Sequence, residues 1–280
     1  MIVILPVYKL RREVLKGVFL LAAFAILLGP IATVIWASFG DYAGSTVIFP
    51  PRNFSTIYYQ TIPSRYWQSL GLTVALASAT TVFACLIAIP AAFGIVRGTM
   101  PGKALVMAVF RAPLQIPAVV SGVAFLQMYY FLNQSVGWFG VGTFLGLLIA
   151  HLFATTPYVI GTVVSVLQRF DASVEEAAAI LGATRMATLW QVTLPILRPG
   201  IFAGALYAFM ISFCEVPMSV FLTGSRLVTF PVEIFNSIQF DFQPPILAIS
   251  SIVAVASLFM VWMVQRLIGL EMFLKAGTAE

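Results

Sequence analysis

Long uncharged apolar blocks, separated by short polar breaks, run along almost the whole chain. Gly17 to Gly40, Tyr66 to Val96, Ala112 to Gln168, Gly200 past Glu215 to Ser225, and Phe242 to Gln265 contain no other Asp, Glu, Lys or Arg. A helix needs about 20 predominantly apolar residues to cross the hydrocarbon of a bilayer. Each block therefore reads as one span, except 112–168, which is long enough for two with Asn133 to Gly137 as the polar turn between them. The pattern predicts helices near 15–38, 66–96, 104–131, 142–168, 200–222 and 244–268. The fold class is an all-α integral membrane protein with about six transmembrane helices. A transmembrane β-barrel would alternate apolar and polar residues in segments of about ten, which these continuous blocks do not.

Composition agrees with that reading. The 280 residues are 61% hydrophobic and 9% charged, with a mean hydropathy of +1.01, whereas soluble domains carry roughly 25% charged residues. The net charge of +5 has a topological explanation. With the N-terminus inside, Lys9, Arg11, Arg12, Lys16, Arg97, Lys103, Arg169, Arg185, Arg198, Arg266 and Lys275 fall on the cytoplasmic side. Only Arg52, Arg65 and Arg226 fall outside, and Arg111 lies in or near the third span. Basic residues favour the cytoplasmic face, so both termini and the 169–199 loop are predicted there. No patch of basic residues suggests nucleic acid.

The domain organisation that follows is a cytoplasmic lead (1–13), a transmembrane domain (14–268) containing the cytoplasmic loop 169–199, and a cytoplasmic tail (269–280). The first apolar run is too long for a signal peptide and no small-residue cleavage site follows it, so it reads as an uncleaved span. Prolines 90, 113, 117, 157 and 217 lie inside or near the ends of spans. They suit a kinked, cavity-lining bundle, or equally a packing irregularity. Tyr58, Tyr59, Tyr66 and Trp67 cluster before the second span, as residues of an interfacial belt do.

The charged loop is the most informative segment. In Asp171-Ala-Ser-Val-Glu-Glu-Ala-Ala-Ala-Ile-Leu-Gly182, Ser173 and Glu176 have capping-box spacing, so a short helix begins there. Ala177 to Ala179 give it a smooth, small-residue face suited to insertion into a groove on another protein. Gly182 ends it or allows a sharp turn. Thr184 can cap a second helix that Pro195 terminates, giving a helix-turn-helix.

Glu176-Ala177-Ala178, then Gly182 after three residues, then Val192-x-Leu194-Pro195 after nine more, resembles the EAA signature of permease subunits in type I ABC importers. The resemblance covers almost the whole chain and implies the permease fold of that family. It implies that Glu176, with Glu175 beside it, Ala177, Ala178, Gly182, Leu194 and Pro195 couple the permease to an ATPase. Glu176 would pair with a basic residue there, Ala177 and Ala178 would pack in its cleft, and Gly182 would permit the bend. Leu194 and Pro195 would anchor the second helix. The implied partners are two ATPase subunits, a second permease subunit of different sequence, and a periplasmic solute-binding protein meeting 39–65 and 223–243. The implied location is the bacterial inner membrane.

Catalytic chemistry is missing from the sequence. Gly98-Thr-Met-Pro-Gly102-Lys103-Ala104 has three residues between its glycines and Ala after its lysine. A phosphate loop needs four residues there and Ser or Thr after the lysine. ATP and Mg therefore belong to the partner ATPase, and no cofactor is expected in this chain. His151 is the single histidine, and Cys85 and Cys214 both fall in spans, so neither a metal cluster nor a disulfide framework is expected.

Glu215 is the one carboxylate inside an apolar span. Such a group faces a bundle interior or an aqueous path, so it is either a pore-lining anion that attracts a cationic solute or a partner in an interhelical hydrogen bond. Ser212, Cys214 and Pro217 complete this candidate substrate pathway. Ser212 to Gly224 and Thr229 to Phe235 resemble the second permease of the spermidine/putrescine branch, with Cys214 where that branch has an acid. The resemblance implies a polyamine-like solute. The branch also carries amino-acid-like solutes, aminophosphonates and ferric iron. An ion-gradient-driven transporter would need acid, base or histidine relays and inverted repeats, which this sequence lacks.

Overall fold

The apolar blocks fold as helices because the backbone's polar groups have no water to bond inside a bilayer and must pair within the segment. The structure is a computed structural model describing residues 4–42, 47–99 and 101–276. The long helices are α1 (Ile4–Ala37), α3 (Ser64–Arg97), α5 (Ala118–Val136), α6 (Phe144–Arg169), α9 (Leu194–Phe213) and α12 (Pro245–Ala276). Shorter ones are α2 (Ile57–Gln60), α4 (Lys103–Arg111), α7 (Ser173–Ile180), α8 (Arg185–Thr188), α10 (Ser219–Leu222) and α11 (Phe230–Phe240). Five helical stretches among the described residues are long and apolar enough to cross a membrane, and α4 with α5 makes a sixth if the bent pair is one span.

Several boundaries correct the sequence reading. The first helix starts at Ile4 rather than near 15, and the last runs from Pro245 to Ala276 rather than 244–268. The third span is not one rod over 104–131. α4 gives way to a 3₁₀ turn at Ala112–Gln115, and the chain bends by 102° before α5. Pro117 is the local cause: the residue before a proline is driven out of the helical region, and Ile116 is extended at φ −91°, ψ 127°. The fifth span, predicted as 200–222, begins at Leu194, stops at Phe213 and resumes only as α10. Helix α11 was missed within the 223–243 segment, although Pro231 and Glu233 in its first turn are ordinary start signals. Residues 1–3 of the predicted lead and 277–280 of the predicted tail lie outside the described residues.

The chain divides into two compact units. In the unit formed by the residues up to Tyr66 and from Asn236 onward, tyrosines fasten α1 and the following loop to α12 and α11. The Tyr59 hydroxyl bonds Ser38 Oγ at 2.6 Å and Ser251 Oγ at 2.8 Å, and buried Tyr66 donates to Ser237 Oγ at 3.0 Å. Tyr58 stacks on Tyr42 and donates to its carbonyl; burial, and then Tyr58 alongside, pushes the Tyr42 phenol above its usual range. These tyrosines use their hydroxyls inside the protein, which the interfacial-belt reading did not anticipate.

In the unit spanning Trp67–Phe235, small side chains let helices approach closely. Ala84, Ala88 and Ala92 form a buried stripe on α3, and Gly200, Gly204 and Ala208 form one on α9. Both belong to a core with Val159, Val163 and Leu167 of α6. A Cβ at Gly204 would lie 2.5 Å from Thr162 Oγ1 and 3.0 Å from Val159 Cα. Close backbone approach of this kind is how membrane helices gain packing without a hydrophobic drive between them. A second core gathers Leu76, Tyr129, Leu147, Met218 and Leu222.

Candidate functional site

The loop 171–195 is built by local signals. Asp171 Oδ1 accepts the Ser173 N–H at 2.9 Å, so the side chain that closes the start of α7 is that of Asp171, one residue before the Ala172 cap position, and not that of Ser173. That N–H, and then the Ser173 hydroxyl, holds the Asp171 carboxyl below the usual carboxylate range. At the other end the Ala183 N–H reaches Ala178 O and the Gly182 N–H reaches Ala179 O, both at 3.0 Å. This pair of bonds is a Schellman closure, which requires a left-handed residue; Gly182 supplies it at φ +85°. Thr184 then caps α8 by accepting the Ala187 N–H at 3.2 Å.

Pro195 does not terminate the second helix. α8 passes through a π-helical turn at Leu189–Thr193 straight into α9. The Leu194 N–H bonds Leu189 O, five residues back, so the ladder has already shifted register where Pro195 lacks its donor. A proline in a helix's first turn then costs little.

The two adjacent glutamates take opposite roles. Glu175 turns inward: its Oε1 accepts the Thr193 hydroxyl at 2.7 Å and its Oε2 lies 3.4 Å from the Arg97 guanidinium. Arg97 in turn covers the Phe170 ring at 5.4 Å. One carboxylate thus ties α7 to the end of α3 and the base of α9. Glu176 is exposed and has no ion pair among the described residues. Beyond it, Ile180 is 86% exposed, Leu181 88% and Trp190 64%, with Met186 also exposed. Ala177 is exposed, while Ala178, Leu194 and Pro195 are half-buried. Sequence reasoning missed the Arg97–Glu175–Thr193 brace, because its members lie far apart in the chain.

The second candidate site lies where the fifth span breaks. Cys214 caps the end of α9, and Glu215, 8% exposed, folds its carboxylate onto the next turn. Oε1 accepts the Met218 N–H at 2.8 Å; Oε2 accepts the Ser219 N–H at 2.8 Å and the Ser219 hydroxyl at 2.5 Å. His151 of α6 bridges the break, with Nδ1 2.8 Å from Ser212 Oγ and Nε2 3.0 Å from Ser219 Oγ. With Glu215 as a carboxylate, the Ser219 proton is committed to it, so His151 Nε2–H donates to Ser219 Oγ and Nδ1 accepts from Ser212. Ser212 and Glu215 are therefore joined through His151 and Ser219, whereas Cys214 and Pro217 are exposed and outside this chain of bonds.

No Lys or Arg among the described residues forms an ion pair with Glu215. Glu215 instead lines a cavity of about 180 Å³ with Ser121, Phe153, Tyr158 and Met218. A groove of about 700 Å³ lies alongside, walled by α4, α6 and α9 and lined by Arg111, Tyr158, Gly161, Ser165, Gly200 and Tyr207 among others. Arg111 and Tyr158 were not among the predicted site residues.

Five helical stretches apolar and long enough to span a membrane among the described residues, six if α4 and α5 are one, with a buried carboxylate beside a cavity, are the features of an integral membrane protein of the transport-permease class. Residues 85–268 match the family described as the inner membrane component of binding-protein-dependent transport systems, and the chain belongs to that family. It is 31% identical over 255 residues to the spermidine/putrescine transport system permease protein PotC of Escherichia coli (strain K12), covering 89% of this chain and 92% of that one. It is 29% identical over 245 residues to the putrescine transport system permease protein PotI of the same strain, covering 86% of each. The sulfate transport system permease protein CysT of Salmonella typhimurium is 30% identical over 206 residues, covering 70% of this chain and 74% of that one. A solved structure of a bacterial ABC transporter involved in alginate import superposes with a TM-score of 0.68 at 16% identity. It covers 93% of this chain and 96% of that one, a likeness of fold.

Proposed function

We propose that this chain is one transmembrane subunit of an ATP-driven importer, working beside a second permease, two ATPase subunits and a periplasmic solute-binding protein. ATP and Mg act on the ATPases, and both termini and the 171–195 loop face the cytoplasm. The observation that carries the coupling role is the exposed face of that loop. Glu176, Ile180, Leu181, Met186 and Trp190 stand in the open on a helix-turn-helix closed by Gly182, capped by Thr184 and braced by Glu175. Exposed apolar groups on a rigid scaffold fit a partner's cleft. Motion delivered there would reach α9 directly, because α8 runs into it without a break.

The solute is a small molecule bearing an ammonium group, drawn to Glu215. On the relatives' names alone the polyamine class is the first candidate, because PotC and PotI are named for putrescine and spermidine. An amino-acid-like or aminophosphonate solute is the second, favoured by Cys214 where the branch has an acid.

The test uses vesicles holding the assembled transporter. We expect ATP-dependent uptake of an ammonium-bearing solute in the wild type. With Leu181→Glu we expect normal membrane insertion but loss of the co-purifying ATPase. Full ATPase recovery with that variant would sink the docking role.

A further inference from the structure

The cavity beside Glu215 and the larger groove share two walls, Leu114 and Tyr158. Each is lined by one charged residue of opposite sign, Glu215 in the cavity and Arg111 in the groove. Arg111 ends α4 where the helix breaks into the 3₁₀ turn. It is exposed, and among the described residues it forms no ion pair. An unpaired guanidinium in an apolar bundle is costly unless it faces water or meets an anion. Tyr158 and Tyr207, their rings stacked 6.4 Å apart, line the same groove, and a Cβ at Gly161 would meet nothing within 4 Å.

We infer that cavity and groove form one solute site for a zwitterion, its ammonium at Glu215 and its carboxylate or phosphonate at Arg111. This rests on the reading of Glu215 as the ammonium acceptor given above. At the Glu215 end the carboxylate supplies the charge, and the Phe153 and Tyr158 rings in the cavity lining add faces that attract a cation. At the other end a guanidinium receives two oxygens of a carboxylate or phosphonate side by side. A polyamine would bring its second ammonium against Arg111, and like charges repel most where the dielectric is low. The site therefore carries no net charge, which suits a solute that carries none.

The test compares putrescine with 4-aminobutyrate, which are of similar length and differ in whether the far end is an ammonium or a carboxylate. 2-Aminoethylphosphonate serves as a further zwitterion. Uptake is measured in vesicles holding the complete transporter, at saturating solute so that delivery does not limit. In the wild type we expect a zwitterion to be carried in preference to putrescine. Arg111→Gln should lower zwitterion uptake at least tenfold and raise the relative uptake of putrescine, with Arg111→Lys recovering part of the loss. Glu215→Gln should lower uptake of both. Preferred uptake of putrescine, unchanged by Arg111→Gln, would leave the importer standing and assign Arg111 to the lipid headgroups, overturning the inference. Failure to carry any ammonium-bearing solute would remove the reading of Glu215 and the inference with it.

Discussion

Glu175 and Glu215 sit in nearly the same immediate chemistry and serve opposite ends. Each accepts a hydrogen bond from a hydroxyl, that of Thr193 and that of Ser219 respectively. Glu175 also has the Arg97 guanidinium at 3.4 Å and remains 27% exposed. Glu215 is almost buried, takes two backbone N–H groups, and has no cation beside it among the described residues. A compensated glutamate can only brace what it touches. An uncompensated one, held in place by dipoles and opening on a cavity, has charge to offer something that arrives. On the proposed reading, the pairing state of the carboxylate would separate the mechanical part of the molecule from the part that meets solute.

The largest expected effect falls on the helix that serves both. α9 starts just after Thr193 and ends just before Glu215, and its Gly204 lies against α6. Gly204→Val would force atoms onto Thr162 and Val159; overpacking of this kind costs about 1–3 kcal/mol. We expect a lower melting temperature in detergent and loss of both ATPase coupling and uptake. Unchanged stability would mean that α6 and α9 adjust independently of the two sites.

Glu215→Ala comes next. It frees two backbone N–H groups and the Ser219 hydroxyl beside a cavity of about 180 Å³ with room for water, so the net cost stays near that of one buried unsatisfied group, about 1–3 kcal/mol. Glu215→Gln keeps an acceptor oxygen and loses the charge. The comparison is sharpened by the difference between them: Ala should lower both stability and uptake, whereas Gln should lower uptake far more than stability. Equal losses of stability would reduce Glu215 to a turn-closing residue. The same logic applied to Glu175→Gln gives a smaller number, since a partly exposed ion pair is worth about 0–1 kcal/mol. Here insertion and solute affinity should be unchanged, while solute carried per ATP hydrolysed should fall severalfold. Unaltered coupling would show that the brace is ornamental to the motion.

The loop was legible in the sequence because its shape is set by neighbours along the chain. Gly182, Thr184 and the alanines each specify a backbone conformation or a cap within four residues, and the structure places them accordingly. Even the misread cap moved only from Ser173 to Asp171. The polar cluster was half-legible: Glu215 and Ser212 stood out, but His151 lies on another helix, and its two serines could be matched to it only by folding. The bend at Pro117 was visible as a proline and not as a 102° break, since whether a proline kinks or ends a helix depends on what can satisfy the freed carbonyls. Pro195 misled for the opposite reason, because the π-turn before it shifts the hydrogen-bond register.

The smallest effect belongs to Asp171, which repeats the carboxylate-to-backbone bond of Glu215 on a fully open surface. Its carboxyl is held below the usual range by the Ser173 N–H and hydroxyl. A group with a depressed folded-state pKa stabilises above its unfolded value and loses that contribution as pH falls through the folded one. The α7 cap should therefore hold at neutral pH and loosen only in acid, below the ordinary carboxylate range. Asp171→Asn keeps an oxygen for the Ser173 N–H, because Asn caps as well as Asp, but it has no proton to gain. Hydrogen exchange of the 171–183 segment, corrected for intrinsic rates, should rise between pH 6 and pH 3 in the wild type and stay level in the variant. A matching rise in both would mean that the cap's charge is irrelevant to the loop, leaving the Gly182 closure and the Glu175 brace to hold α7 unaided.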